Sequence, residues 1–474
     1  MKKEKTTFNL SFNRVGMVAI LAVFLFLSFS TTQAQELWTW GSNDYGQLAN
    51  GSTKVNVLAP AQIGSQTNWI AITTGSYHTM VLKSDHTLWG SGYNVYGELG
   101  DGTTVNKTEL VQIGTGTDWA VISAKMTHTV ALKSDGTLWV TGENTNGQLG
   151  DGTTVGKTSF TQIETGQTWK AIAGGQQYTL AVKSDGTLWT WGYNANSQLG
   201  DGTTTKRSIP TQVGTATDWV KVSAGASHAL GLKSDGTLWA WGYNNYGQIG
   251  DGTTGTANNK KVPTQIGTDT NWAQIFTGSQ FSLAIKTDGT LWTWGYNGNG
   301  QLGDGTTVNK TIPTQIGTDT DWATVSAGLN HTLAIKTDGA LWAWGSNASG
   351  QLGDGTTSTG STVPVKVGTA TDWKAVAAGT YSFSIALKGT ATSGISVDQG
   401  SKLGIAYDAT TAQIKVSGVE GDASLAVYNL QGEALISGTT TGGTPVSAKS
   451  LSKGIYVVKV VGNGESISKK IVVQ

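Results

Sequence analysis

The stretch "GDGTTTKRSIPTQVGTATDWVKVSAGASHALGLKSDGTLWAWG" covers Gly200–Gly242, and four short strands can be read from it. "IPTQVG" is a brief β-like run. "WVKVSAG" and "HALGLK" alternate large and small residues, and "TLWAWG" is rich in Leu and Trp. Turns with Gly and Asp separate them, and "KSDGT" is a hairpin signal because Asp-Gly tolerates positive φ. No helical period competes. Four antiparallel strands per unit describe the blade of a β-propeller.

The unit recurs. Leu-Trp pairs begin at Leu37, Leu88, Leu138, Leu188, Leu238, Leu291 and Leu341. A second marker stands at Trp69, Trp119, Trp169, Trp219, Trp272, Trp322 and Trp373. Two markers therefore give seven units of about fifty residues. The first begins at "ELWTWG" (Glu36–Gly41) with no strand like "HTLALK" before it. The last ends at Lys388 with no Leu-Trp strand after it. The N-terminal Leu-Trp strand is expected as the missing fourth strand of the last blade, closing the ring and removing open edges. A linear β-solenoid is the alternative.

Composition agrees with an all-β protein. The chain has 474 residues, with 66 Gly, 19 Trp and no Cys. So much aromatic ring area excludes disorder, and the absence of Cys excludes disulfides and thiolate chemistry. Residues 1–34 carry Lys2, Lys3, Lys5 and Arg14 against Glu4, then the apolar run Val15–Ser30, then Ala34 as a cleavage site. That is the pattern of a secretory signal. The segment 35–389 has 20 basic and 24 acidic residues, net −4, with no polybasic tail. Nucleic acid is not an expected partner.

With the repeat in hand, "GQLGDGTT" (Gly147–Thr154) followed by "P-Q", Trp, "AG", "HTLALK" and "DGTLWAWG" resembles the regulator-of-chromosome-condensation repeat. The resemblance covers residues 36–388 and implies a seven-bladed propeller, a rigid disc whose loops bind another protein. It implies no single function. A nuclear exchange factor carries a basic tail, which this chain lacks. Beyond Lys388 the period breaks into shorter strands, consistent with a small antiparallel β-sandwich. There "LAVYNLQGEALISG", "LSKGIYVVKV" and "KKIVV" resemble the C-terminal sorting domain of the type IX secretion system. Over residues 395–474 this implies export across an outer membrane by that machinery, and secretion or surface display. The expected domains are a signal peptide (1–34), the propeller (35–389), and linker plus sorting domain (390–474).

Catalytic readings fare poorly. His78, His128, His228 and His331 share one repeat position with Tyr178, Phe281 and Phe383. That reads as packing, with each imidazole bonded to backbone. His86, in a turn, reads as exposed. The recurrent acids Asp101, Asp151, Asp201, Asp251, Asp304 and Asp354 sit in equivalent surroundings, whereas acid–base division needs different ones. "GDGTT" has one carboxylate, too few for a calcium loop, and lacks the Lys-Ser/Thr of a P-loop. A non-enzyme without cofactor or metal is expected. Its "GQLGDGTT" reads as a joint between blades, with the Asp capping the turn.

Specificity should lie where units differ. Tyr45, Tyr77, Tyr96 and Tyr246 offer large area with a polar tip. Lys107, Lys157, Lys206 and Lys310 follow "DGTT" and form a second, basic ring. These eight are the candidate partner-binding residues; packing of the tyrosines and solvated lysines are the alternatives. The expected function is a monomeric, secreted or surface scaffold engaging an extracellular protein. Carbohydrate binding, or a polymer-degrading enzyme, are the other readings.

Overall fold

A computed structural model describes residues 35–389 and, beyond them, 404–408, 413–417, 422–428, 434–441, 444–451, 454–462 and 465–473. The signal segment expected at 1–34 and most of the linker lie outside the described residues. The chain divides into two units, 1–390 and 391–474.

The first unit holds seven four-stranded antiparallel sheets. Its chain starts with β1 (Gln35–Gly41) and β2 (Val57–Gln62). The next blade is β3 (Trp69–Thr74), β4 (His78–Lys83), β5 (Leu88–Gly92) and β6 (Lys107–Gln112), ordered from the central channel outward. Five more blades repeat this order. The last sheet runs Trp373–Ala378, Phe383–Gly389, β1, β2. β1 pairs antiparallel with Phe383–Gly389 along its whole length, from Gln35 opposite Gly389 to Gly41 opposite Phe383. The N-terminal strand thus closes the ring, but as the third strand of the sheet and not the fourth, because it brings the fourth with it. After "GQLANGS" the chain returns as the outer strand of the same sheet, so the N-terminus supplies half of the closing blade. The only helical turn among the described residues is Thr256–Asn258.

The core lies between blades. The second strand of each blade is buried almost throughout, as in His78–Lys83 and Phe281–Lys286. Its large–small alternation therefore fits two packed faces, not one wet face. Outer strands such as Lys310–Gln315 are half-exposed.

"GQLGDGTT" joins the blades. The carbonyl of Gln148 accepts from Trp191 Nε1 (2.9 Å) and Thr179 Oγ1 (2.8 Å), both of the next blade. Gln351 plays the same part at the closure, accepting from Trp40 Nε1 (2.9 Å) and Ser384 Oγ (2.8 Å). Gly150 has φ 76°, and a Cβ there would stand 2.7 Å from Trp191 Nε1. Only Gly tolerates both conditions. Ala49 takes this position at φ 59° before the blade that carries Ser91 in place of the second Trp. Asp151 caps its turn: Oδ1 accepts from Thr153 N (2.9 Å) and Asn144 Nδ2 (3.0 Å).

The second unit packs two antiparallel sheets around one core. Gly404–Asp408, Gln413–Ser417 and Val446–Ser447 form one; Ala434–Thr441, Asp422–Tyr428, Gly454–Gly462 and Glu465–Val473 form the other. Ile414, Val427, Val458 and Val460 are fully buried between them.

Candidate binding face

In each blade the first-to-second and third-to-fourth strand connections lie on one face, because consecutive strands are antiparallel. Tyr77 and Tyr381 come from the first kind of connection, Tyr45, Tyr93 and Tyr96 from the second. The ring closure brings all five together. Tyr45 packs edge-on against Tyr77 (4.8 Å between centroids) and Tyr93 (4.9 Å). Tyr77 stacks on Tyr381 at 4.8 Å with 7° between planes. Tyr93 reaches Tyr96 at 6.2 Å. Tyr45 is 36% exposed and Tyr96 46%, with Val95 at 48% beside them. Burial raises the phenol pKa of Tyr77, and the neighbouring Tyr381, Tyr45, Asp44 and Tyr93 add to it. Tyr93 is raised by burial and by Tyr96, Glu98 and Tyr45. The patch is thus a platform of preorganised neutral rings bordered by the exposed Asp44, a surface that buries area at low entropy cost.

The structure gathers three of the four expected tyrosines. Tyr246 stands apart, packed at 5.0 Å on Tyr296. Sequence reasoning missed Tyr93, Tyr296 and Tyr381. Tyr93 and Tyr296 share a position with Tyr193 and Tyr243 and so pass as motif. Tyr381 precedes Phe383 by two residues where Tyr77 precedes His78 by one, so repeat spacing hides it.

The expected basic ring is not a free positive surface. Lys107 Nζ lies 2.9 Å from Asp101, Lys157 2.8 Å from Asp151, and Lys310 3.0 Å from Asp304. Each lysine follows its aspartate by six residues and folds back on the turn that the acid caps. Lys206 stands exposed while Arg207, next to it, pairs with Asp201 at 2.7 Å.

The four repeat histidines are interior, and their side-chain partners are hydroxyls that the expectation of backbone bonding did not include. His78 Nε2 meets Thr129 Oγ1 (3.2 Å), His128 meets Thr179 (3.1 Å), His228 meets Ser282 Oγ (3.0 Å) and His331 meets Ser384 (3.2 Å). Each of these partners is a hydroxyl of the next blade, and His228 and His331 also meet the backbone of that blade at Phe281 and Phe383. Those hydroxyls spend their one proton on the Glu98, Gln148, Gln248 and Gln351 carbonyls. Nε2 must therefore carry the imidazole hydrogen and donate. Where the next blade offers Ala229, the position holds Tyr178, whose longer side chain bonds the His228 carbonyl at 2.5 Å. Burial holds the imidazoles neutral, at a pKa of about 3 for His78 and His228 and about 4 for His128 and His331. His86 is half-buried rather than exposed, with Nδ1 3.0 Å from the Trp119 carbonyl. Among the described residues no group of three or more His, Asp or Glu is placed to hold a metal ion.

The RCC1-like domain model matches residues 156–396, about half of the chain. Regulator of chromosome condensation repeats match 36–82, and again 69–98 and 121–148. The secretion system C-terminal sorting domain matches 408–474. The human E3 ubiquitin-protein ligase HERC2 is 40% identical over 79 residues, 16% of this chain and 2% of that protein. The ultraviolet-B receptor UVR8 of Arabidopsis thaliana is 30% identical over 79 residues, 16% of this chain and 18% of the receptor. The chain thus spans less than a fifth of the curated relatives' length. Human WBSCR16 superposes with a TM-score of 0.67 at 21% identity, over 75% of this chain and 99% of that one. Prp20p of Saccharomyces cerevisiae gives 0.68 at 20%, over 76% and 92%. These structures share the propeller fold. The chain belongs to the RCC1-like domain family and ends in a type IX secretion C-terminal sorting domain.

Proposed function

We propose that the propeller is an exported, non-catalytic scaffold that binds an extracellular or surface protein through its tyrosine face. The observation that carries this reading is the platform of Tyr45, Tyr77, Tyr93, Tyr96 and Tyr381, with two rings exposed. The sorting domain supports secretion or surface display. A protein as the ligand is supported by Prp20p, a propeller of the same fold described by its binding to Gsp1p and histones. Lys107, Lys157 and Lys310 contribute a charge-compensated rim, worth little to affinity.

The test is saturable binding of the labelled protein to cells of its source that do not make it. Prior protease treatment of the cells should abolish binding, and periodate should not. The double variant Tyr45→Ala, Tyr96→Ala should weaken binding roughly thirtyfold, as expected for losing exposed aromatic anchors. Tyr246→Ala should leave it unchanged. Binding that survives protease but not periodate makes the ligand a glycan. Binding indifferent to both tyrosines removes this face.

A further inference from the structure

The seven innermost strands enclose a channel of about 320 Å³, enough for on the order of ten waters. Its lining is neutral except for Lys125. Six other blades hold Gly at that position: Gly75, Gly175, Gly225, Gly278, Gly328 and Gly379. In those blades an aromatic or imidazole ring lies over the glycine; a Cβ at Gly75 would stand 2.1 Å from His78 Cε1. The blade with Lys125 makes room by tightening its hairpin, so that Lys125 pairs with His128 and Met126 takes φ 46°.

Three hydroxyls of the lining accept backbone N–H groups. Thr73 Oγ1 accepts the Ala124 N–H (3.1 Å), Ser123 Oγ the Gly174 N–H (3.0 Å) and Ser326 Oγ the Ala378 N–H (2.9 Å). Each hydroxyl thereby uses acceptor capacity on a neighbouring blade and keeps its proton to offer. No carboxylate lines the channel, and Lys125 has no ion-pair partner among the described residues. Its charge extends to His228, two blades on, where it helps keep that imidazole neutral. Burial without compensation pulls the ammonium down to about 8. A bound anion would relieve that cost.

We propose that the channel mouth at Lys125 is an anion site. It takes one small oxyanion, a phosphate or a carboxylate group, on the ammonium and the hydroxyl donors of the inner strands. The site does not depend on the identity of any protein partner.

The test titrates the full chain with inorganic phosphate, and separately with acetate, at constant ionic strength. Calorimetry reads the affinity. Lys125→Gly restores the residue of the other six blades, and Lys125→Met keeps bulk without charge. Wild type should bind at least one of the two anions saturably. Both variants should lose at least about tenfold in affinity, the loss of one charge-assisted contact. Phosphate binding alone marks a phosphate-type ligand, acetate binding alone a carboxylate, and either supports the site. Absence of saturable binding to both anions, or equal affinity in wild type and variants, overturns it.

Discussion

Acidification from pH 6.5 toward pH 4 should unfold the propeller, with stability falling by about 4 kcal/mol per pH unit near pH 5.5. The sign follows from four imidazoles. Their folded pKa values, about 3 to 4, lie below the usual 6.5. Between those limits only the unfolded chain binds the protons. The stability is complete above pH 6.5 and is lost as pH falls. Glu98 opposes this. It is buried where Gln47 and Gln148 stand in other loops, and burial raises its carboxyl to about 7. Between pH 4.5 and 7 the folded state holds a proton that the unfolded state has released. Four protons taken up and one released leave about three, hence the slope. A loss of this size is a large part of a typical stability of about 5–15 kcal/mol. All 19 tryptophans lie within residues 35–389, so their fluorescence reports the propeller alone. Glu98→Gln should steepen the acid slope toward four protons and flatten the alkaline side. A propeller equally stable at pH 7 and pH 4.5 refutes the buried neutral ring.

Replacing Trp40 by Ala should cost about 3–5 kcal/mol, the range for deleting a fully buried aromatic. Trp40 lies in the N-terminal strand, is fully buried, and donates to the Gln351 carbonyl of the preceding blade. It packs on Leu333, Leu352 and Trp373. Trp191, in the interior of the ring, has the same bond to Gln148 and comparable surroundings. A closed ring makes the two positions equivalent, so Trp40→Ala and Trp191→Ala should lose similar stability in urea. A terminal strand that merely rests on the last blade would make Trp40→Ala nearly silent.

The fold was legible because it is written seven times. Two Trp markers with one period specify the blades, and the missing strands at the two ends specify closure. The second closing strand was less visible, because cutting units at "DGTT" separates an outer strand from its own sheet. The joint role of "GQLGDGTT" was readable from recurrence, but its mechanism needed coordinates. A carbonyl such as that of Gln148 has no sequence signature. The His–hydroxyl pairs were within reach: Thr79, Thr129, Thr179, Ser282, Thr332 and Ser384 all follow the ring position, and Ala229 is the exception. The tyrosine patch was legible only in part. It joins residues about 300 positions apart, Tyr77 and Tyr381, and only closure makes them neighbours. The lysine ring misled because the acids six residues upstream were read only as turn caps, although their second oxygen remains free for an ammonium.

The most direct test of the tyrosine face is site-specific photocrosslinking in the exported protein. A photoreactive residue is placed at position 96, within the patch, or at position 115, exposed on the opposite face. Position 96 should yield a discrete adduct with one protein, which the Tyr45→Ala substitution removes, and position 115 should yield none. Adducts from position 115 alone, or the same adduct from both, would contradict a partner bound through the tyrosines.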